Sequence, residues 1–295
     1  MAGDRGGEGG GEAPGGAPLN GLPSVFLGTP EAAVPALRAL VAAGLAPDLA
    51  VTPPHRPRGR GGRVEPCPVA AAAEAAGIPV HATEDVNSPL SLGAIHARRP
   101  ALLLVVAFGQ ILGDDLLRVP GLGALNLHFS LLPRWRGAAP VQRAIEAGDA
   151  VTGVTVQRVV RKLDAGPVIA LRETEVGPGE RAGELEARLA DLGAALLAGI
   201  VAHAAETGAL IPGKEQDERL VKVARKVRKE EGRAEFAQSP AAFCWKTRAL
   251  HPWPLVTAEL RAGARKPEET LARQTRVSFQ AYLAPTRGLT MVRWS

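Results

Sequence analysis

Cysteine is almost missing from this chain: Cys67 and Cys244 are the only two in 295 residues. They stand far apart, so they build neither a disulfide framework nor the close ligand spacing of a zinc module. A reducing compartment, the cytoplasm, is their simplest setting. Aromatic residues are scarce as well, at 4% against 46% apolar residues overall. A core must therefore be assembled mainly from Ala, Val and Leu. No apolar run reaches the ~20 residues needed to span a bilayer. An excess of one charge is also lacking. The net charge of +5 gives a mild pull toward polyanions and falls short of a dedicated nucleic-acid coat. With no clustered His, Cys, Asp and Glu, no metal is expected.

Segment 1–22 is made of Gly, Pro, Ala and a few acids. It reads as a disordered tail with no apolar stretch of a secretory signal, and its acids argue against a mitochondrial presequence. From Ser24 the pattern changes. "SVFLG" is a short apolar strand, followed by a turn at Gly28-Thr29-Pro30 and a helix whose Val34, Leu37, Leu40 and Val41 share one face. "DLAVTPP" reads as a second strand and "VAAAAEAAG" as a helix. "ALLLVVAFG", Ala101–Gly109, is apolar without alternation, as in a strand buried on both faces. "GALNLHFS" and the alternating "TGVTVQRVV" are further strands, and 184–208 is a long helix with the stripe Leu185, Leu189, Leu192, Leu196 and Ile200. Strands separated by helices imply an α/β fold with a parallel sheet, whose ligands sit beyond the C-terminal strand ends. We place the domain at 23–207, a linker at 208–220, and a smaller second domain at 221–295.

The informative stretch is "LNLHFSLLPRWRGAAPVQ", Leu125–Gln142. Asn126 and His128, two apart on a strand, point the same way. An amide and an imidazole can together stabilise an oxyanion or move a proton; alternatively, the pair caps a strand end with hydrogen bonds. Asp164 stands in an Asp-Ala-Gly-Pro turn after a later strand. It either orients the imidazole and shuttles a proton through water, or bonds its own backbone. Pro133 and Gly137 make the intervening loop rigid, and Trp135 lies between Arg134 and Arg136.

Asn-x-His, then Ser-Leu-Leu-Pro-x-x-x-Gly, then a Leu-Asp-x-Gly turn stand here in order. This region resembles the signature of the 10-formyltetrahydrofolate-dependent formyltransferases. Further likeness is to the branch of that family acting on methionyl-tRNA. It is carried by "VFLGTPEAAVPAL", by the basic loop "RPRGRGGRVEPCPV", and by "VARKVRKEEGRAEF" and "RALHPWP". The resemblance runs from about Ser24 to Leu260. It implies a Rossmann-like catalytic domain followed by a C-terminal β-barrel resembling an oligonucleotide-binding (OB) fold. It also implies transfer of a formyl group from 10-formyltetrahydrofolate, as co-substrate, to the α-amine of initiator methionyl-tRNA. Asn126, His128 and Asp164 would be catalytic. Phe108, Gly109, Ser130, Leu131, Leu132, Pro133 and Gly137 would line the folate pocket. Arg56, Arg58, Arg60 and Arg63, with Lys222, Lys226 and Lys229, would meet the tRNA backbone. The alternative substrate is a small-molecule amine, against which the basic loop and second domain argue. After about residue 260 the likeness fades, so a truncated or divergent barrel is expected. A cytoplasmic monomer is the simplest form.

Overall fold

The computed structural model describes residues 22–58, 63–260, 275–282 and 291–294. Segment 1–21, Arg60 and the stretches 261–274 and 283–290 lie outside the described residues. The chain runs β1 (Ser24–Gly28), α1 (Val34–Ala42), β2 (Leu49–Thr52), β3 (Arg56–Arg58), β4 (Arg63–Glu65), α2 (Pro68–Ala75), β5 (Val80–Ala82), α3 (Pro89–His96), β6 (Leu102–Val106) and α4 (Asp114–Leu117). It continues through β7 (Gly123–His128), β8 (Arg136–Gly137), α5 (Pro140–Glu146), β9 (Val151–Arg158), β10 (Val168–Glu175), α6 (Ala182–Thr207), β11 (Val223–Ala224), α7 (Pro240–Ala249), β12 (Thr257–Leu260), β13 (Thr275–Tyr282) and β14 (Met291–Trp294).

Seven strands form one sheet in the order β10-β9-β7-β6-β1-β2-β5. The five from β7 to β5 are parallel. β9 runs antiparallel to β7 and to β10. This is the α/β parallel-sheet arrangement that the strand–helix alternation predicts, in the Rossmann-like form that the family resemblance implies. β1 and β6 are buried at every position. Successive side chains alternate between two cores: Phe26, Leu102 and Leu104 enter the layer under α1, α2 and α6, while Val25, Leu27 and Leu103 enter the other. That is why those strands show no polar alternation in sequence.

The long helix is where expected, ending at Gly208 in a left-handed conformation (φ 70°). Its buried face is shifted from the predicted stripe. Leu185, Leu189 and Ile200 are buried, but Leu192 and Leu196 are only partly so, and Ala194, Leu197, Val201 and Ala204 take their place. Small residues near the middle bring the helix close to the sheet. A Cβ on Gly193 would stand 2.7 Å from the Leu127 side chain.

The segment read as a linker, 208–220, is no free connector. Lys214 exchanges two backbone hydrogen bonds with Val168, and β11 pairs in parallel with β8. A third small core joins Ala139, next to β8, to Val227, Leu250, Val256 and Ala258 of the C-terminal part. There β12, β13 and β14 form a three-stranded antiparallel sheet. No helix among the described residues is long and apolar enough to cross a membrane.

Candidate active site

β7 ends the parallel part of the sheet, and its last residues turn two faces outward. Leu125 and Leu127 point into the core under α6. Asn126 and His128 point the other way, toward a cleft of 520 Å³. This is the position beyond strand C-termini where open α/β sheets bind ligands. Across the β7–β9 ladder Asn126 faces Gln157, and His128 faces Thr155.

Asp164 reaches this pair from the β9–β10 connection. Its Oδ1 accepts from Asn126 Nδ2 at 3.3 Å and from Gln157 Nε2 at 3.0 Å. Its Oδ2 accepts from the Gly137 backbone N–H at 2.8 Å. His128 Nδ1 is 3.7 Å from Oδ1, and both side chains are more than nine-tenths buried. Three N–H donors and an imidazole therefore converge on one carboxylate. His128 Nε2 lies 2.9 Å from the Trp135 carbonyl oxygen. A carbonyl only accepts, so Nε2 carries a proton and Nδ1, beside Asp164, is the nitrogen free to gain or lose one.

The backbone is bent to allow this. Asp164 has a φ of 50° and Trp135 of 67°, left-handed values that non-glycine residues adopt only where the surroundings impose them. Gly166 lets the turn fold back on β9: a Cβ there would lie 1.9 Å from the Arg158 carbonyl oxygen. Gly137, at φ 124°, has the same need, since a Cβ would lie 2.6 Å from the Ala224 carbonyl oxygen.

Phe108, Gly109 and Gly137 line the cleft, together with the apolar Leu112, Pro140 and Val141. Ser130, Leu131, Leu132 and Pro133 do not line it, contrary to expectation. Their part is to anchor the loop. Thr155 Oγ1 donates to the Ser130 carbonyl at 2.7 Å and accepts from the Leu132 N–H at 3.1 Å, and Ser130 Oγ donates to the Arg134 carbonyl at 2.7 Å. Trp135 is held by an Nε1–H bond to Asp149, which also takes Arg134 in a bidentate pair. Three residues of the site escape a reading of motifs. Gln157 gives only a faint signal, as an amide in a strand otherwise rich in Val and Thr. Gln216 and Glu186 give none, because topology alone brings the first to Asp164 and the second, on α6, to the cleft wall. Burial pushes the Glu186 carboxyl above its ordinary range.

The basic residues divide. Lys222, Lys226 and Lys229 are exposed, and none has an ion-pair partner among the described residues. Arg56 is exposed and pairs with Glu84 at 2.7 Å. Arg58 and Arg63 face each other across the β3–β4 ladder, and Arg60 lies outside the described residues.

A protein-family model described as formyl transferase matches residues 25–201. A methionyl-tRNA formyltransferase from Methylococcus capsulatus is 43% identical over 236 residues, covering 80% of this chain and 76% of that protein. Another, from Novosphingobium aromaticivorans, is 46% identical over 242 residues, covering 80% and 77%. This chain belongs to the methionyl-tRNA formyltransferase family. Among solved structures, HypX from Aquifex aeolicus in complex with tetrahydrofolic acid shares the fold. Its TM-score is 0.56 at 16% identity, over 81% of this chain and 36% of that one.

Proposed function

We infer that this protein transfers a formyl group from 10-formyltetrahydrofolate to the α-amine of methionyl-tRNA, with Asn126, His128 and Asp164 as its catalytic residues. The single observation carrying the residue assignment is the convergence of amide, imidazole and carboxylate at the rim of one cleft. The apolar wall of Phe108, Leu112, Pro140 and Val141 fits a flat heterocycle. When bound, the folate donor supplies a formyl carbon on a nitrogen able to leave.

The protein's own groups then have distinct tasks. Asn126 spends one N–H on Asp164, and an amide carries two. The second serves the formyl oxygen as it becomes negative. His128, fixed through Nε2 by the Trp135 carbonyl, takes up at Nδ1 the proton shed by the attacking amine and stabilises the negative oxygen nearby. Asp164 holds the imidazolium so formed, and helps the proton pass through a water from Nδ1 to the folate nitrogen as that nitrogen's bond to the formyl carbon breaks. Each such contribution is on the order of 10²-fold or more. The cleft walls keep bulk water from taking the formyl group. Lys222, Lys226 and Lys229, exposed on the segment that follows the site, meet phosphates of the tRNA, as do Arg56, Arg58, Arg60 and Arg63. The three C-terminal strands are part of an OB-like barrel that widens this footprint.

The test offers the full chain labelled 10-formyltetrahydrofolate with methionyl-tRNA, and in parallel with glycinamide ribonucleotide or an amino sugar nucleotide. Label on the RNA-bound methionine is expected. Label only on the small amine, or released only as formate, would overturn the reading.

A further inference from the structure

We propose that Gln216 is a positioning residue that locks the Asp164 turn in its working geometry, and so ties the chemistry to docking of the basic segment beginning at Lys222. This rests on the assignment of Asp164 to the reaction. The Gln216 side-chain amide nitrogen has three acceptors: the Asp164 carbonyl at 2.9 Å, the Gly166 carbonyl at 2.8 Å and Gln157 Oε1 at 3.1 Å. Its own oxygen accepts from Arg136 Nε at 3.0 Å. One side chain thus clasps the turn at the carboxylate residue itself and again at Gly166. It also orients Gln157, which itself donates to that carboxylate.

The clasp solves a local problem. Asp164 is left-handed without being glycine, a state that persists only when its surroundings over-determine it. Its backbone carbonyl would otherwise relax with the rest of the turn. The second strut is electrostatic. Glu218 accepts from Arg136 at 2.9 Å and from Lys162 at 2.8 Å, so 216–218 holds the turn on both sides of Leu163-Asp164. Stability alone does not explain the cluster. The Arg136 side chain is buried and its Nη2 finds no partner among the described residues, a cost that a plain apolar contact would not carry. The segment then continues without a break: the Arg136 N–H donates to the Lys222 carbonyl, β11 pairs with β8, and the exposed Lys222, Lys226 and Lys229 follow. The clasp at Gln216 and the first of those cations, Lys222, therefore belong to one short segment of chain.

The experiment compares wild type with Gln216→Leu, which keeps the bulk and loses every hydrogen bond, and with Gln216→Glu, which keeps the bond to Arg136 but replaces the donor by an acceptor. Asp164→Asn is the reference. Steady-state formylation of methionyl-tRNA and the melting temperature are measured for each. In both Gln216 variants kcat is expected to fall at least tenfold, while KM for tRNA and for the folate donor stays within about twofold and the melting temperature within a few degrees. A kcat within twofold of wild type in either variant overturns the proposal, and so does a loss that follows a collapsed melting temperature or a parallel rise in both KM values. An active Asp164→Asn would instead overturn the assignment of Asp164, which separates the two failures.

Discussion

Two stretches rich in cationic residues lie next to each other, and they use their charges in opposite ways. In the β7–α5 connection and α5, Arg134 pairs with Asp149, Arg136 with Glu218, and Arg143 with both Glu146 and Glu231. Arg136 and Arg143 are largely buried. In the segment 222–229, five cations stand exposed, and Lys222, Lys226 and Lys229 carry no ion pair among the described residues. Guanidinium groups suit the first task, since a planar fork satisfies two acceptors at once and tolerates desolvation. Ammonium groups suit the second, as solvated point charges whose counterions can be released to a polyanion. Charge count alone would treat the two stretches alike; only pairing distinguishes a scaffold from a surface able to bind.

The largest expected effect lies at the carboxylate that both stretches flank. Asp164→Asn keeps the shape and removes the charge, and kcat should fall by about 10²- to 10⁴-fold, with little change in tRNA binding; single-turnover formylation measures it. Next comes Lys222→Ala, Lys226→Ala and Lys229→Ala combined. KM for tRNA should rise about tenfold or more, and the salt slope of binding should lose roughly 0.7 for each phosphate contact removed. The melting temperature should stay put, and turnover on a small methionyl ester should be unchanged. A triple variant with wild-type salt dependence would erase the contrast between the two stretches. The converse variant, Arg143→Met, should spare tRNA affinity and lower stability by about 2 kcal/mol, because two carboxylates and the carbonyls of Arg225 and Lys226 lose their donor. Denaturant unfolding reads this directly.

Much of the sheet was legible because burial on both faces writes an unbroken apolar run, as in Leu102–Val106, and the site because Asn126 and His128 are polar residues at the end of such a strand while Asp164 sits in a punctuated turn. The stripe of α6 was misplaced by a few residues because Ala and Gly, uninformative in so Ala-rich a chain, bury as well as Leu where the helix meets Leu127. The roles of Ser130–Pro133 were misread for a related reason. A rigid loop beside a site can wall the ligand or anchor the polar pair, and only the bonds to Thr155 decide for anchoring. The 208–220 segment looked like a linker because its fixing bonds run from Gln216, Glu218 and the Lys214 backbone to residues 46 to 82 positions away. No local pattern records such partners.

The smallest effect compares two glutamates by pH. Glu231 is held below its ordinary range by its hydrogen bonds to Arg143, against an opposing push from burial. Its contribution is therefore present above the unfolded value of about 4.3 and is lost as pH falls through the lower folded value. Glu186 is shifted the other way by burial in the cleft wall. A raised folded value means that ionisation penalises the native state: the penalty is absent below about pH 4.3, grows as pH rises toward the folded value and is complete above it. Glu186→Gln should thus stabilise the protein at pH 7 by less than about 1 kcal/mol and leave it unchanged near pH 4, whereas Arg143→Met should flatten the acid limb that Glu231 produces. Melting curves from about pH 2 to pH 8 measure both. A Glu186→Gln variant that loses stability at pH 7 would mean that the carboxylate is satisfied in the native state, and that the cleft wall is wetter there than its burial implies.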